Sequence, residues 1–362
     1  MEFIELAELC DKGSSNLAQK DLVFDSGIYP VYGAPGEITK VDFFHQSKTY
    51  LGLIKDGAGV GRVMQLPANS SVIGTIQYIF PKENVDLKYL YYLIKYLDLG
   101  KANTGATIPH IYFKDYKKRK VKVREYSEQK HIAQILELID SHLRTYKKVL
   151  EQYDLLIKSR FVEMFGDPNM VALNKSVKFS SIAKIITGNT PSRKSPEYYG
   201  DYIEWIKSDN IISTNLYISQ AKEFLSEQGA AKGRVAPKDS LLMTCIAGSI
   251  RSIGNIGICD RSVAFNQQIN AIVLKNNINP LYIYWLLKLF KPSIIANVEM
   301  SLKGIISKSH LENMLIPIIA SQEEQELFIK FALQINKLKA DVQKSIDKAQ
   351  LLMDSLMQEY FG

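Results

Sequence analysis

The chain has 362 residues, with 45 Lys and Arg against 38 Asp and Glu (net +7), 46% hydrophobic and 10% aromatic residues, and three cysteines. Such a length and composition belong to folded protein of two or three domains, and the wide, odd-numbered spacing of Cys10, Cys245 and Cys259 excludes a disulfide framework or a thiolate zinc site. No apolar run approaches the roughly 20 residues that cross a bilayer, and the start MEFIELAELCDKG has no apolar signal core, so the expected compartment is cytoplasmic with no membrane partner.

In chain order, β-branched runs at Tyr50–Ile54 and 71–80 read as strands separated by Gly-rich turns. Between them, Gly57-Ala58-Gly59-Val60-Gly61 lacks the G-x-G-x-x-G spacing, a following helix and a suitably placed acid, so it reads as a strand-to-strand turn. Residues 82–97 (KENVDLKYLYYLIKYL) read as a short apolar helix capped by Asp86. Residues 114–120 then place five cations in seven positions, beside Tyr112 and Phe113. Two readings of that run stand: phosphate contact with aromatic support, or a solvated face leading into the next helix.

That next helix is long. From Ile132 the series Leu136, Ile139, Leu143, Tyr146, Leu150, Tyr153, Ile157, Arg160, Met164 advances in steps of four and three, without Pro or internal Gly. A 3.5-residue period held over four heptads predicts a coiled coil. Beyond it, residues 188–210 are rich in turn formers, and 240–246 and Ile269–Leu274 read as strands. Residues 275–290 (KNNINPLYIYWLLKLF) form a second short apolar helix, capped by Asn279. The last segment carries the same seam again: Phe328, Ala332, Ile335, Lys339, Val342, Ile346, Ala349, Met353, Leu356, Tyr360.

The chain is therefore a repeat. LLIKSRFVEMFG (155–166) recurs as LLMDSLMQEYFG (351–362), and Glu128-Gln129 recurs as Glu324-Gln325 at the same offset of 196. Residues 82–97 match 275–290, and FIELAEL (3–9) parallels FSSIAKI (179–185), which leaves about twenty extra residues in the second copy, expected within 188–210. The predicted fold is α+β: two mixed α/β globules separated by two long helices that form an antiparallel coiled coil, with a pseudo-two-fold internal repeat. Its segments are 1–126, 127–166, 167–320 and 321–362. Antiparallel pairing sets Ile132 against Tyr360, Leu136 against Leu356, Ile139 against Met353 and Ile157 against Ile335, with Arg160 opposite Ala332 and Lys339 over the ring of Tyr153. The seam residues are thus Ile132, Leu136, Ile139, Leu143, Leu150, Ile157, Phe328, Ile335, Val342, Ile346, Met353 and Leu356. Charge follows the repeat: 1–125 carry 17 cations against 14 anions and 167–316 carry 17 against 11, whereas 126–166 carry 6 against 6 and 317–362 carry 5 against 7.

Catalytic signatures are missing. There is no G-x-x-x-x-G-K-[ST] loop, no Asn/Asp-Pro-Pro-aromatic tetrapeptide, and no metal-ligand spacing among the five histidines. Binding features are present instead. Thr190, Ser192, Arg193 and Lys194 combine hydroxyls and cations in one loop, fit for phosphates or base edges, against the reading of a polar surface loop. Asn266 and Gln267 carry amides that could read adenine edges or pin a turn. Lys55, Arg62, Thr107, Lys114, Lys117, Lys118, Lys207, Arg251 and Lys303 complete the DNA-binding candidates. No catalytic or metal-ligating residue is assigned.

With these features in place, the chain resembles the DNA-specificity subunit of type I restriction–modification systems. The resemblance rests on Gly188-Asn189-Thr190-Pro191-Ser192, Ile203-Glu204-Trp205-Ile206, Leu241-Leu242-Met243, Gly254-Asn255-Ile256-Gly257, Asn266-Gln267 and the two Glu-Gln helix starts. The first globule departs from the pattern: it has no G-x-T-P loop or I-x-W, and carries Gly27-Ile28-Tyr29-Pro30-Val31-Tyr32-Gly33 instead. The resemblance implies a non-catalytic subunit with two target-recognition domains, each reading one half of a bipartite, asymmetric site in double-stranded DNA. It further implies helices that dock two adenine-N6 methyltransferase subunits, which bind S-adenosylmethionine, and added motor subunits that use ATP and Mg²⁺ to cleave DNA. From 132 to 164 a helix rises about 48 Å at about 1.5 Å per residue, roughly one and a half DNA turns. Two other readings stay open on the residues: the specificity chain of a system with a fused methyltransferase-nuclease partner, and a coiled-coil scaffold without a DNA role.

Overall fold

The structure, a computed structural model, describes residues 3–102, 109–170, 176–275, 278–296, 305–317 and 320–362. The chain divides into two compact units, Met1–Val149 with Asp341–Gly362, and Leu150–Ala340.

In the first unit, β1 (Phe3–Glu5), α1 (Leu6–Leu9) and β2 (Cys10–Ser14) lead to β3 (Tyr29–Gly33), β4 (Gly36–Val41), β5 (Tyr50–Ile54), β6 (Val63–Leu66), β7 (Ser71–Val72) and β8 (Ile76–Pro81). Then come α2 (Leu87–Leu97), α3 (Phe113–Tyr116) and β9 (Lys120–Lys122). The strands form an antiparallel sheet of order β2-β8-β5-β6, a second of order β4-β3-β7 with β3 and β7 parallel, and a β1-β9 pair. Strand β5 is buried at every position, so its YLGLI run has no alternation, as expected of a strand covered on both faces. Gly57–Gly61 form the β5–β6 turn; a Cβ on Gly61 would lie 2.1 Å from the Gly100 nitrogen, so the turn packs backbone to backbone on the short turn Leu99–Ala102 that follows α2.

The long helix α4 (Tyr126–Phe165) leads into the second unit: β10 (Ser176–Lys178), α5 (Phe179–Ile182), β11 (Ala183–Thr187), β12 (Tyr199–Ile206), β13 (Phe224–Leu225), α6 (Glu227–Lys232), β14 (Val235–Ala236), β15 (Leu241–Thr244), β16 (Ile256–Ile258), β17 (Val263–Phe265) and β18 (Ile269–Leu274). Helices α7 (Pro280–Ala296) and α8 (Lys308–Asn313), strand β19 (Leu315–Pro317) and the long helix α9 (Gln322–Phe361) complete it. The sheet orders are β11-β18-β15-β16, β13-β12-β17-β14 with β12 and β17 parallel, and β10-β19. The first unit's frame thus recurs in the second, which adds one strand, β14, antiparallel to β17.

That correspondence moves two sequence expectations. Leu6 and Phe179, both fully buried, open α1 and α5, so the two copies align three residues away from the expected match of 3–9 with 179–185. The second copy's additional residues also lie elsewhere. They fall between β12 and β15, residues 207–240, where the first unit has only 34–49; residues 188–210 hold instead a loop comparable to 15–28, followed by β12.

The helices α4 and α9 bury their seams within each unit. Ile132, Leu136, Ile139 and Leu143 share a core with α2 and with Met353, Met357 and Phe361. Ile157 and Phe161 share another with α7 and with Phe328, Ile329, Ala332 and Ile335. The first half of α4 therefore meets the second half of α9, and conversely, which is antiparallel pairing. Leu150, Val342, Ile346 and Leu356 are half-buried. The two polar seam positions each find a carboxylate. Arg160 turns to Glu163 at 2.8 Å while Phe161 fills the core beside it. Lys339 reaches Asp154 at 2.6 Å rather than lying over the Tyr153 ring, since a full carboxylate attracts an ammonium more strongly than a ring face.

The repeated Glu-Gln has a structural role in both copies. Gln129 is 2% exposed, and its side-chain oxygen accepts the Asp86 N–H at 3.0 Å while its amide nitrogen donates to the Arg124 carbonyl at 2.9 Å. Gln325, 3% exposed, accepts from the Asn279 N–H at 3.2 Å and donates to the Ala320 carbonyl at 2.8 Å. Asp86 and Asn279 are themselves the caps of α2 and α7, accepting from Lys88 and Tyr89, and from Leu281. Each glutamine ties the start of a long helix to the start of a short one.

Candidate nucleic-acid interface

In the second unit the interface begins where β11 ends. Gly188 passes so close to the 265–266 backbone that an added Cβ would lie 2.1 Å from the Asn266 carbonyl oxygen, so only glycine fits there. The loop that follows is held by the Asn189 side chain, which donates to the Lys232 carbonyl at 2.9 Å, and by Tyr199, whose hydroxyl donates to the Pro191 carbonyl at 2.7 Å. The Thr190 hydroxyl bonds the exposed Gln267 amide oxygen. Ser192 and Lys194 are exposed, the Ser192 hydroxyl accepting the Lys194 N–H at 3.3 Å.

Arg193 lies over two rings, with its guanidinium carbon 4.4 Å from the Tyr199 centroid and 5.0 Å from that of Trp205. Lys207 sits 5.1 Å from the Trp205 centroid. Both cations meet one carboxylate: Glu223 lies 2.6 Å from Arg193 and also pairs with Lys207. Hydrogen bonds from Lys207 and then Arg193 hold the Glu223 carboxyl below the ordinary glutamate range. Nearby, Glu204 is likewise lowered, first by its bonds with Arg261, and it also accepts the Ala221 N–H at 2.7 Å. This pair fastens the segment that carries Glu223.

Thr190, Arg193, Lys207 and Gln267 are thus brought together, with Ser192 and Lys194 on the same loop. Arg251 stands apart on the 249–254 turn, its carbonyl accepting the Lys291 ammonium at 2.9 Å. Of the two readings of Asn266, its contacts accord with the turn-pinning one. It is 6% exposed, its oxygen accepts the Gln268 N–H at 3.1 Å and its nitrogen donates to the Gln268 side chain at 3.0 Å, so its amide pins the β17–β18 turn.

In the first unit, Lys55 pairs with Asp56 at 3.5 Å, Asp56 bonds the His110 ring, His110 packs 3.9 Å from the Tyr112 ring, and Lys114 lies 5.0 Å over Tyr112. One chain of contacts therefore joins two candidate cations. Arg62 donates to the Ala34 carbonyl. The carbonyls of Lys117 and Arg119 receive the N–H groups of Ala7 and Leu6, so this run docks the start of the chain through its backbone. Lys117 is half-buried and Lys118 exposed. Thr107 and Lys303 lie outside the described residues. Sequence reasoning missed Glu223, His110 and the cation-bearing role of Trp205; only the I-x-W run carried any signal for them.

Two copies of one frame, each with cations gathered on loops beyond its sheets, set the context for comparison with known proteins. A family model, the type I restriction modification DNA specificity domain, matches residues 1–152 and again 173–349. The chain belongs to this family. Among specificity subunits, the chain is 25% identical over 183 residues to the type I restriction enzyme MjaIX specificity subunit of Methanocaldococcus jannaschii, a match covering 48% of this chain and 41% of that one. It is 31% identical over 111 residues to the HindI specificity subunit of Haemophilus influenzae, covering 30% and 23%. The matches span less than half the length of each of these curated relatives. Its fold is similar to that of the S subunit of the type I restriction–modification system from M. genitalium, with TM-score 0.62, 17% identity and coverage of 100% and 96%. A chain from a structure concerned with complex assembly and conformational transition of the type I system gives TM-score 0.56, 12% identity and coverage of 99% and 97%. In this specificity-domain chain, no described helix is long and apolar enough to cross a membrane.

Proposed function

We propose that this chain is the DNA-specificity subunit of a type I restriction–modification complex, each unit reading one half of a bipartite, asymmetric site in double-stranded DNA. The observation that carries this reading is the repeat itself: one frame of strands occurs twice, extended by β14 in the second unit, with different side chains on the loops. The second unit offers Thr190, Arg193, Lys194 and Lys207, and the first offers Lys55 and Lys114 beside His110 and Tyr112. Like frames with unlike loops suit two unlike half-sites.

The reading assigns the chemistry to partners. Adenine-N6 methyltransferase subunits would bring S-adenosylmethionine, and motor subunits would use ATP and Mg²⁺. Support for helical docking comes from apolar residues left on the outer faces of α4 and α9: Leu138, Leu155, Leu156, Leu327, Leu338, Leu351 and Leu352 are exposed, and Leu155-Leu156 recur as Leu351-Leu352. Solvent-facing leucines at repeated positions fit a partner surface.

Adenine methylation mapped across a host genome tests the reading. Replacing residues 179–316 by the corresponding region of a relative is expected to change one half-site and preserve the other. A change in both halves, or no methylation dependent on this chain, overturns it.

A further inference from the structure

We propose that Glu223 is a built-in counter-ion that occupies the phosphate position of the second unit's interface and thereby restrains non-specific DNA binding. The inference rests on the DNA-reading role proposed above and adds to it a residue that sets the strength of the phosphate contacts.

The carboxylate is placed, not incidental. The Trp205 N–H donates to the Glu223 carbonyl at 2.9 Å, so the backbone of Glu223 is fastened beside the ring over which Arg193 and Lys207 lie. Two residues upstream, the Ala221 N–H is bound by Glu204, itself paired with Arg261. From this fixed backbone one carboxylate serves both cations, with its two oxygens divided between them: Oε2 to Arg193 and Oε1 to Lys207. A phosphate presents the same chemistry, an anion with divergent oxygens that accept from a guanidinium and an ammonium.

The charge consequence follows directly. Two cations facing DNA would each release a counter-ion on meeting a phosphate, whereas a pair already sharing a carboxylate presents only one net charge. Any duplex must displace Glu223 to gain both contacts. That displacement costs a specific and a non-specific duplex alike. Glu223 therefore lowers the affinity for duplexes held through phosphates alone. It is a positioning residue for the two cations and holds them over the aromatic pair until DNA replaces it.

The test measures binding of the full chain to a mixed pool of random-sequence duplexes over a range of potassium chloride concentrations. Glu223→Gln, close in shape, is expected to bind about fivefold tighter, the factor represented by one exposed ion pair, and to steepen the plot of log affinity against log salt by about one. Glu223→Asp keeps the charge and is expected to keep the wild-type slope. In a chain that also carries Arg193→Gln and Lys207→Met, Glu223→Gln is expected to change neither quantity. Unchanged or weaker binding by Glu223→Gln, with wild-type binding intact, overturns the inference alone. Absence of salt-dependent binding by the wild-type chain overturns both this inference and the DNA-reading role.

Discussion

Gln129 and Gln325 occupy the same position in the two copies, and each supplies an acceptor to the backbone N–H of the residue whose side chain caps a neighbouring helix. Replacing either by Leu would leave that N–H buried without a partner, a loss of about 1–3 kcal/mol. We expect each variant to lower the urea midpoint without changing the slope of the transition. Because the contacts stay inside one unit, Gln129→Leu should affect the first unit and Gln325→Leu the second, as hydrogen exchange resolved by segment would reveal. The Glu-Gln pair was legible in the sequence as a recurrence, but its role was not, since the residues it serves lie 43 and 46 positions upstream. Asn266 shows the converse. An amide in a turn looks available to a ligand until its two atoms are seen to be engaged by its own neighbour, Gln268.

For the long helices, the heptad pattern carried most of the information. The seam positions from Ile132 to Leu143 and at Ile157, Phe328 and Ile335 are buried because a 3.5-residue period keeps one stripe facing the partner. Leu136→Ala in the first unit and Ile157→Ala in the second, both at positions with no exposed surface, are each expected to cost about 2–5 kcal/mol. Leu150→Ala, at a half-buried position, should cost distinctly less, and thermal unfolding of the three variants measures the contrast. A strict heptad did not anticipate Phe161, Met357 and Phe361. At these positions the helices also pack on the globules, and the apolar stripe widens to cover α7 or α2. The second copy's insertion was misplaced for a related reason. Turn-forming composition at 188–210 imitates inserted sequence, whereas the true addition contains two-residue strands and a short helix with no periodicity to announce them.

At the scale of the molecule, one unit is a continuous stretch, Leu150–Ala340, and the other is assembled from Met1–Val149 and Asp341–Gly362. Both keep their own core, and the first unit's core includes Met353, Met357 and Phe361 from α9. In chain order, all of the second unit is synthesised before the helix half, 341–362, that completes the first. The earlier-made globule must wait, with Ile132, Leu136 and Ile139 lacking their partners on α9, while the later-made one closes. A chain stopped after Ala340 should reproduce that waiting state: hydrogen exchange is expected to protect the strands of the second unit and to open α2 and the first half of α4. Equal protection of both units would refute the order. Chaperone demand, and sensitivity to proteases during expression, should accordingly concentrate on the first unit.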